Sequence, residues 1–242
     1  MKRKRLDEEL IGGGAVRDKQ AAFVIVTEGR VFVDGQKAIS PAQLIGELAK
    51  VEVKNADGYV GRGAYKLEAA LADFAIDVTG KICSDIGAAT GGFTDVLLRR
   101  GAAKVYAIDT ARGKLDLKIR QDPRVIVMEQ TDVRHMEVLP EQADIAVIDV
   151  SLISLRDILG SVRRLLAPEA KVVALFKPQY ETRDPSILYH GVIRDSADRE
   201  KLVADFVEWA ARNKWEIKNK IESPIRGDKG NGEYLFYIVL TQ

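Results

Sequence analysis

Several stretches of this chain hold residue types that can do chemistry together. In the run Asp85-Ile86-Gly87-Ala88-Ala89-Thr90-Gly91-Gly92-Phe93-Thr94, a short apolar segment meets a cluster of glycines. A strand feeding glycines and then a helix brings backbone N–H groups close to a ligand. Asp109 closes the next β-prone segment, where a carboxylate can accept hydrogen bonds from ribose hydroxyls. Asp149 and Lys177 stand at the ends of two later β-branched runs, and Lys66 and Glu233 are ionisable groups able to reach the same cleft. Groups of these types can activate a nucleophile beside a bound cofactor.

The glycine spacing separates two cofactor classes. A nicotinamide fingerprint needs glycine at the places held here by Gly87, Ala89 and Gly92, the middle one so that backbone can approach a pyrophosphate. The middle place is an alanine, and the acidic Asp85 stands just before the loop. S-adenosylmethionine carries no phosphate but has a cationic amino group and a sulfonium, which a carboxylate suits better. The expected contacts are Asp85, Gly87, Ala88, Gly91, Gly92 and Phe93, with Asp109, Asp132 and Asp149. Asp132 can reach an adenine amino group or simply close a turn. A glycine loop that only turns a corner, and a nicotinamide site, stay open at this point.

The elements that must position these groups alternate in type. Residues 82–86, 104–108, 125–128, 145–150 and 172–176 are strand-sized β-prone runs, with helical spacing at 93–100, 155–166 and 197–212. Such alternation predicts a doubly wound α/β sheet. Residues 216–223 and 234–241 are joined by a loop too short for a helical crossover, so they should form an antiparallel hairpin at one end. Before residue 55 the texture differs. Asp34-Gly35 between β-prone residues signals a hairpin, residues 15–22 have helical character, and Val51-Glu52-Val53 alternates. The expected organisation is a small α+β domain over 1–55 and a Rossmann-like domain over 56–242.

Composition narrows the classes. The 242 residues carry 37 Lys+Arg against 36 Asp+Glu, and 46% are apolar. That balance excludes a disordered polyelectrolyte and binding of nucleic acid by bulk charge. The single Cys83, with His135 and His190 in unrelated contexts, argues against a disulfide framework and a zinc site. No metal is therefore expected. No apolar run is long enough to span a membrane. The basic start at residues 2–5 leads into Asp7-Glu8-Glu9 rather than an apolar segment, so a cytoplasmic protein is expected.

Lys66, Asp149, Lys177 and Glu233 have the order of the Lys-Asp-Lys-Glu tetrad of FtsJ-like ribose 2′-O-methyltransferases. Their contexts are Arg62-Gly63-Ala64-Tyr65-Lys66-Leu67-Glu68, Asp149-Val150-Ser151, Lys177-Pro178-Gln179 and Gly230-Asn231-Gly232-Glu233-Tyr234. With Gly91-Gly92-Phe93-Thr94-Asp95, these resemble the TlyA/hemolysin-A family of rRNA methyltransferases. Arg5-Leu6-Asp7 and Gly29-Arg30-Val31-Phe32-Val33-Asp34-Gly35 resemble that family's front RNA-binding domain, of the ribosomal-protein-S-four type. The sequence departs from the family pattern at Ala64, Ala89 and Tyr180 and after Asp109.

The resemblance implies methyl transfer from S-adenosylmethionine to a ribose 2′-hydroxyl of cytidine in ribosomal RNA, with rRNA or ribosomal subunits as partners. It makes Lys66, Asp149, Lys177 and Glu233 catalytic. Lys177 acts either as the base or as a cation holding the developing alkoxide. Arg3, Lys4, Arg5, Arg17, Lys19 and Arg62 are the expected RNA contacts, and Arg226 and Lys229 are further candidates. The competing readings are an RNA-holding assembly factor with a vestigial fold and a membrane-lytic protein.

Overall fold

The computed structural model describes residues 3–16, 18–27, 29–53 and 58–241, and the chain falls into two compact units, Met1–Tyr59 and Val60–Gln242. The boundary expected at residue 55 lies outside the described residues, as do Lys2 and Arg17.

In the first unit, β1 (Arg3–Arg5), α1 (Leu6–Gly12), α2 (Lys19–Thr27), β2 (Val31–Val33), β3 (Gln36–Lys37), β4 (Leu44–Gly46) and β5 (Val51–Val53) follow in order. β1 pairs with β4, and β2 lies between β3 and β5, all antiparallel. Asp34 and Gly35 have φ of 50° and 79°, the left-handed pair that a two-residue hairpin turn requires. The helix expected at residues 15–22 is displaced to Lys19–Thr27. Asp18 sets its start, its Oδ1 accepting the Ala21 N–H at 2.8 Å, and Gly29 at φ 69° closes its end. Leu6, Leu10, Ala22, Ile25, Val26, Val31 and Ile45 form a small core.

The second unit begins with α3 (Gly63–Asp73) and continues through β6 (Ile82–Ile86), α4 (Gly92–Arg99), β7 (Lys104–Asp109), α5 (Leu117–Arg120), β8 (Val125–Glu129) and β9 (Ala143–Ile148). It ends with α6 (Leu155–Leu165), β10 (Leu166–Phe176), α7 (Pro178–Glu181), α8 (Ser196–Arg212), β11 (Trp215–Glu222) and β12 (Tyr234–Leu240). The seven strands lie in the order β11-β12-β10-β9-β6-β7-β8. The five from β8 to β10 are parallel, and β12 inserts antiparallel between β10 and β11. β12 can sit there because the return from β11 is a plain hairpin, which reverses direction without a crossover.

β6 is flanked by β7 on one side and β9 on the other, so strand order reverses at its C-terminal end. Ligands bind in the crevice at such a point. Buried apolar runs in β6, β7, β9 and β10 make the sheet's centre, and Phe176, Phe206 and Phe236 close one side with ring centroids 5.1 to 5.4 Å apart.

Candidate active site

A cavity of about 850 Å³ opens at the switch point, lined by Gly87, Asp109, Asp132, Asp149, Ile153 and Glu181 among others. Its floor follows from the glycine loop. Gly87 has φ 86°, and a side chain there would meet the Asp149 carbonyl oxygen at 2.3 Å. Only glycine meets both demands. Ala89 is also left-handed, at φ 46°, and its N–H donates to Asp109 Oδ2 at 2.8 Å while Ala111 N–H donates to Oδ1 at 2.7 Å. These two bonds fix the Asp109 carboxylate at the end of β7. Asp132 lines the cavity and caps the turn at Val133–His135, and its bonds with Arg134 hold its carboxyl down at about 2.

Asp85 is fully buried beneath this loop. Its Oδ2 accepts the Thr94 hydroxyl at 2.6 Å, while Oδ1 has no partner among the described residues. Burial chiefly, with repulsion from Asp149 and Asp109 added, pushes its carboxyl up to about 7. Three carboxylates facing one loop, one of them with an orphaned oxygen, suit a cationic ligand and oppose a pyrophosphate.

Of the expected cofactor contacts, Gly87, Asp109, Asp132 and Asp149 line the cavity, whereas Asp85, Ala88, Gly91, Gly92 and Phe93 do not. Gly91 takes the left-handed cap of α4 at φ 94°. A side chain on Gly92 would press on the Ala64 nitrogen at 3.2 Å and the Gly61 oxygen at 3.3 Å, and Phe93 packs beside Gly63. These residues bring α4 against the start of α3, so the loop's second half builds the scaffold.

The structure brings the four ionisable residues together as two pairs. Lys66 Nζ lies 2.5 Å from Glu233 Oε2, and both side chains are buried. Lys177 Nζ lies 2.6 Å from Asp149 Oδ1 and donates to Ser151 Oγ at 2.9 Å. Topology explains the meeting. β10 pairs with β12 through Phe176↔Tyr234, so Lys177 and Glu233 are the next residues out on adjacent strands. Ile86↔Ile148 places Asp149 beside Gly87. A side chain on Gly63 would lie 3.8 Å from Asp149 Oδ2, and Lys66 sits one helical turn further along the same face of α3. Two bonds to the Lys177 nitrogen leave one tetrahedral position open, for a proton or for the lone pair of a neutral amine.

Four residues of this site escaped the sequence reading. Ser151 is the second ligand of Lys177, in the quoted Asp149-Val150-Ser151 context but without a role. Buried Glu181 accepts from Ser154 Oγ at 2.6 Å and Leu155 N–H at 2.7 Å, capping α6 at the cavity wall, and burial raises its carboxyl. A side chain on Gly227 would collide with Glu233 Oε1 at 1.9 Å, so this glycine seats the carboxylate. Asn231, also buried, bonds Gly191 and Asp228 carbonyls and the Ile193 N–H, holding the loop that presents Glu233. Asn231 stood in the quoted Gly230-Asn231-Gly232-Glu233-Tyr234 context without a role, and Gly227 had no period or spacing to mark it.

The expected RNA contacts lie mainly in the first unit. Arg5 forks onto Asp7 at 2.9 and 2.7 Å, Lys4 pairs with Glu9 at 2.7 Å, and Lys19 opens α2 exposed. Arg3 is exposed on β1, and Arg17 lies outside the described residues. In the second unit Arg62 pairs with Asp228 at 3.0 Å. Among the described residues no cluster of His, Cys, Asp or Glu could hold a metal, and no helix is long and apolar enough to cross a membrane.

Comparison with known proteins adds a family. Residues 59–239 match the family of FtsJ-like methyltransferases. The chain is 37% identical over 241 residues to the 16S/23S rRNA (cytidine-2′-O)-methyltransferase TlyA of Mycobacterium tuberculosis, covering 98% of this chain and 90% of that one. It is 38% identical over 239 residues to Hemolysin A of Brachyspira hyodysenteriae, covering 98% and 100%. A solved structure from Streptococcus thermophilus that carries a hemolysin name superposes with a TM-score of 0.78 at 36% identity, covering 100% of this chain and 90% of that one.

Proposed function

The chain belongs to the FtsJ-like methyltransferase family, within it to the family of the TlyA and hemolysin A proteins, and from that premise we propose that it methylates ribosomal RNA on a cytidine ribose 2′-hydroxyl. The observation that carries the reading is the pairing of Lys66 with Glu233 and of Lys177 with Asp149, the last of which lines a cavity whose carboxylates suit a cation. S-adenosylmethionine, when bound, supplies a methyl on a positively charged sulfur, which leaves as a neutral thioether.

The residues of this chain do the rest. Asp109 offers carboxylate oxygens to a ribose, and Asp85, buried beneath the loop with Oδ1 unpaired among the described residues, adds negative potential that favours a cationic amino group. The ribose hydroxyl of the substrate is a weak acid and loses its proton as it attacks. Asp149 and Ser151 fix Lys177 so that its remaining position is presented to that oxygen, as a base or as a donor to the alkoxide. Glu233 holds Lys66 as a second cation nearby. The first unit, as a domain of the ribosomal-protein-S-four type over residues 1–55, brings Arg3, Lys4, Arg5, Arg17 and Lys19 to the RNA, with Arg62 from the catalytic domain. Such binding rests on a few phosphate contacts and not on net charge.

The test is incubation of the protein with labelled S-adenosylmethionine and separated small and large ribosomal subunits. Label in rRNA from one subunit with wild type, and none above background with Lys177→Ala, supports the reading. Wild type that binds a subunit yet transfers no label favours a holding factor, and leakage of liposomes on addition of the protein favours a lytic one.

A further inference from the structure

Two guanidinium groups close on one patch of backbone beside Glu233. A methyl group built on Gly232 would lie 3.2 Å from Arg226 Nη1 and 3.3 Å from Arg199 Nε. Arg199, on α8, spends its Nη1 on the carbonyl oxygens of Ile193, Arg194 and Asp195 at 3.0, 3.0 and 3.2 Å, which sets its plane. Its Nε is buried and has no hydrogen-bond partner among the described residues. Among the described residues neither arginine forms an ion pair, and the nearby Asp228 carboxylate is engaged by Arg62 at 3.0 Å. Like charges directed at one patch repel, and an anion bound between them would relieve that repulsion.

The segments carrying the pair are tied together. Asn231 Nδ2 donates to Gly191 O at 3.0 Å, and Lys229 Nζ donates to His190 O at 3.3 Å, which join the loop before β12 to the segment before α8. Arg226 itself is exposed. A planar guanidinium fork matches a phosphate better than any other common anion in RNA. The methyl donor has a carboxylate but no phosphate, and neither arginine is among the residues lining the cavity, so the anion is assigned to the substrate.

We propose that Arg226, backed by Arg199, binds one phosphodiester of the RNA backbone beside Gly232, the residue before Glu233, and so fixes the strand whose ribose enters the reaction site. The proposal rests on the RNA-methyltransferase reading above and adds a specific contact to it. Its test is equilibrium binding of wild type, Arg226→Gln and Arg226→Lys to separated ribosomal subunits across a salt series. Losing one charge-assisted phosphate contact weakens binding about tenfold. It also flattens the dependence of log affinity on log salt by about one charge.

The expected result is both changes in Arg226→Gln, recovery of the salt slope in Arg226→Lys, and unchanged adenosylhomocysteine affinity in all three proteins. A wild-type salt slope in Arg226→Gln overturns the site. So does an Arg226-dependent response to inorganic phosphate alone with subunit binding unaltered. Failure of the methyltransferase reading appears elsewhere, as wild type that transfers no labelled methyl whatever its salt slope.

Discussion

Lys66 and Glu233 form an ion pair with almost no access to water, and such a pair is asymmetric in its energetics. Removing one partner leaves the other buried and uncompensated, at a cost of about 3–5 kcal/mol, while replacing both with apolar residues of similar size is close to neutral. Lys66→Met should therefore lower the unfolding free energy by that amount, and Lys66→Met with Glu233→Leu should recover most of it in denaturant melts. Methyl transfer should stay absent in both. Lys177 is the contrasting case, less deeply enclosed and held by Asp149 and Ser151. Lys177→Ala should retain adenosylhomocysteine binding and lose about 10²-fold or more of the transfer rate, the usual scale for a positioned base.

Asp85 gives a pH signature. Its carboxyl titrates at about 7 in the fold against 3.8 ordinarily, so the fold holds the proton more tightly than the unfolded chain does. The stability it contributes is complete below pH 3.8 and is lost as pH rises through about 7. The Tm advantage of Asp85→Asn over wild type should grow across that window. Ligand binding runs the other way, because a cation selects the ionised carboxylate. Adenosylhomocysteine affinity in wild type should fall below pH 7 by up to about tenfold per unit, and Asp85→Asn should bind weakly with no such slope.

At the scale of elements, the loop after β6 and the loop before β12 do the positioning, each through a glycine pressed on one carboxylate residue of the tetrad. Gly87 approaches the Asp149 carbonyl, and Gly227 approaches the Glu233 carboxylate. Gly227 has an ordinary φ of −73°, so an added methyl meets a space limit and not a backbone one. Gly227→Ala should keep adenosylhomocysteine affinity near wild type while lowering kcat, because the donor cavity is lined from other segments. A fall in cofactor affinity equal to the fall in kcat would contradict that division.

The sheet and most of its helices were legible because their signals are local: β-branched runs for β6 to β10, and helical spacing over residues 197–212 for α8. The two-residue hairpin in the first unit was legible from Asp34-Gly35. The α2 boundary was not, because Phe23–Val26 reads equally as a strand, and Asp18 and Gly29 set the helix through hydrogen bonds and a left-handed residue. The tetrad showed four residues and their order but not their pairing. That needed the register of β10 on β12 and of β6 on β9, which no spacing along the chain encodes. Gly91, Gly92 and Phe93 have a packing role that the sequence did not show, since a glycine that admits a ligand and one that admits a neighbouring helix look alike in sequence.

Over the whole molecule, 37 basic and 36 acidic residues cancel, and the cancellation conceals a division of labour. Asp109 and Asp149 line the cavity, Asp85 is buried beneath its glycine loop, and Glu233 is paired with Lys66. Basic residues such as Arg3, Lys19 and Arg226 stand exposed. Reversing charge in the first unit, as Arg3→Glu with Lys19→Glu, should weaken binding to ribosomal subunits about tenfold or more and steepen its loss with salt less than in wild type. Adenosylhomocysteine affinity should not change, and if it does, the two units do not divide the work in this way.

The central claim is that the methyl reaches a ribose oxygen and not a base, and alkali reads this directly. A 2′-O-methyl group removes the hydroxyl that cleaves the adjoining phosphodiester. When rRNA labelled by the wild-type protein is hydrolysed to completion in alkali, the label should appear in an alkali-stable dinucleotide whose 5′ residue is cytidine. Label recovered wholly in mononucleotides would place the methyl on a base and contradict the account.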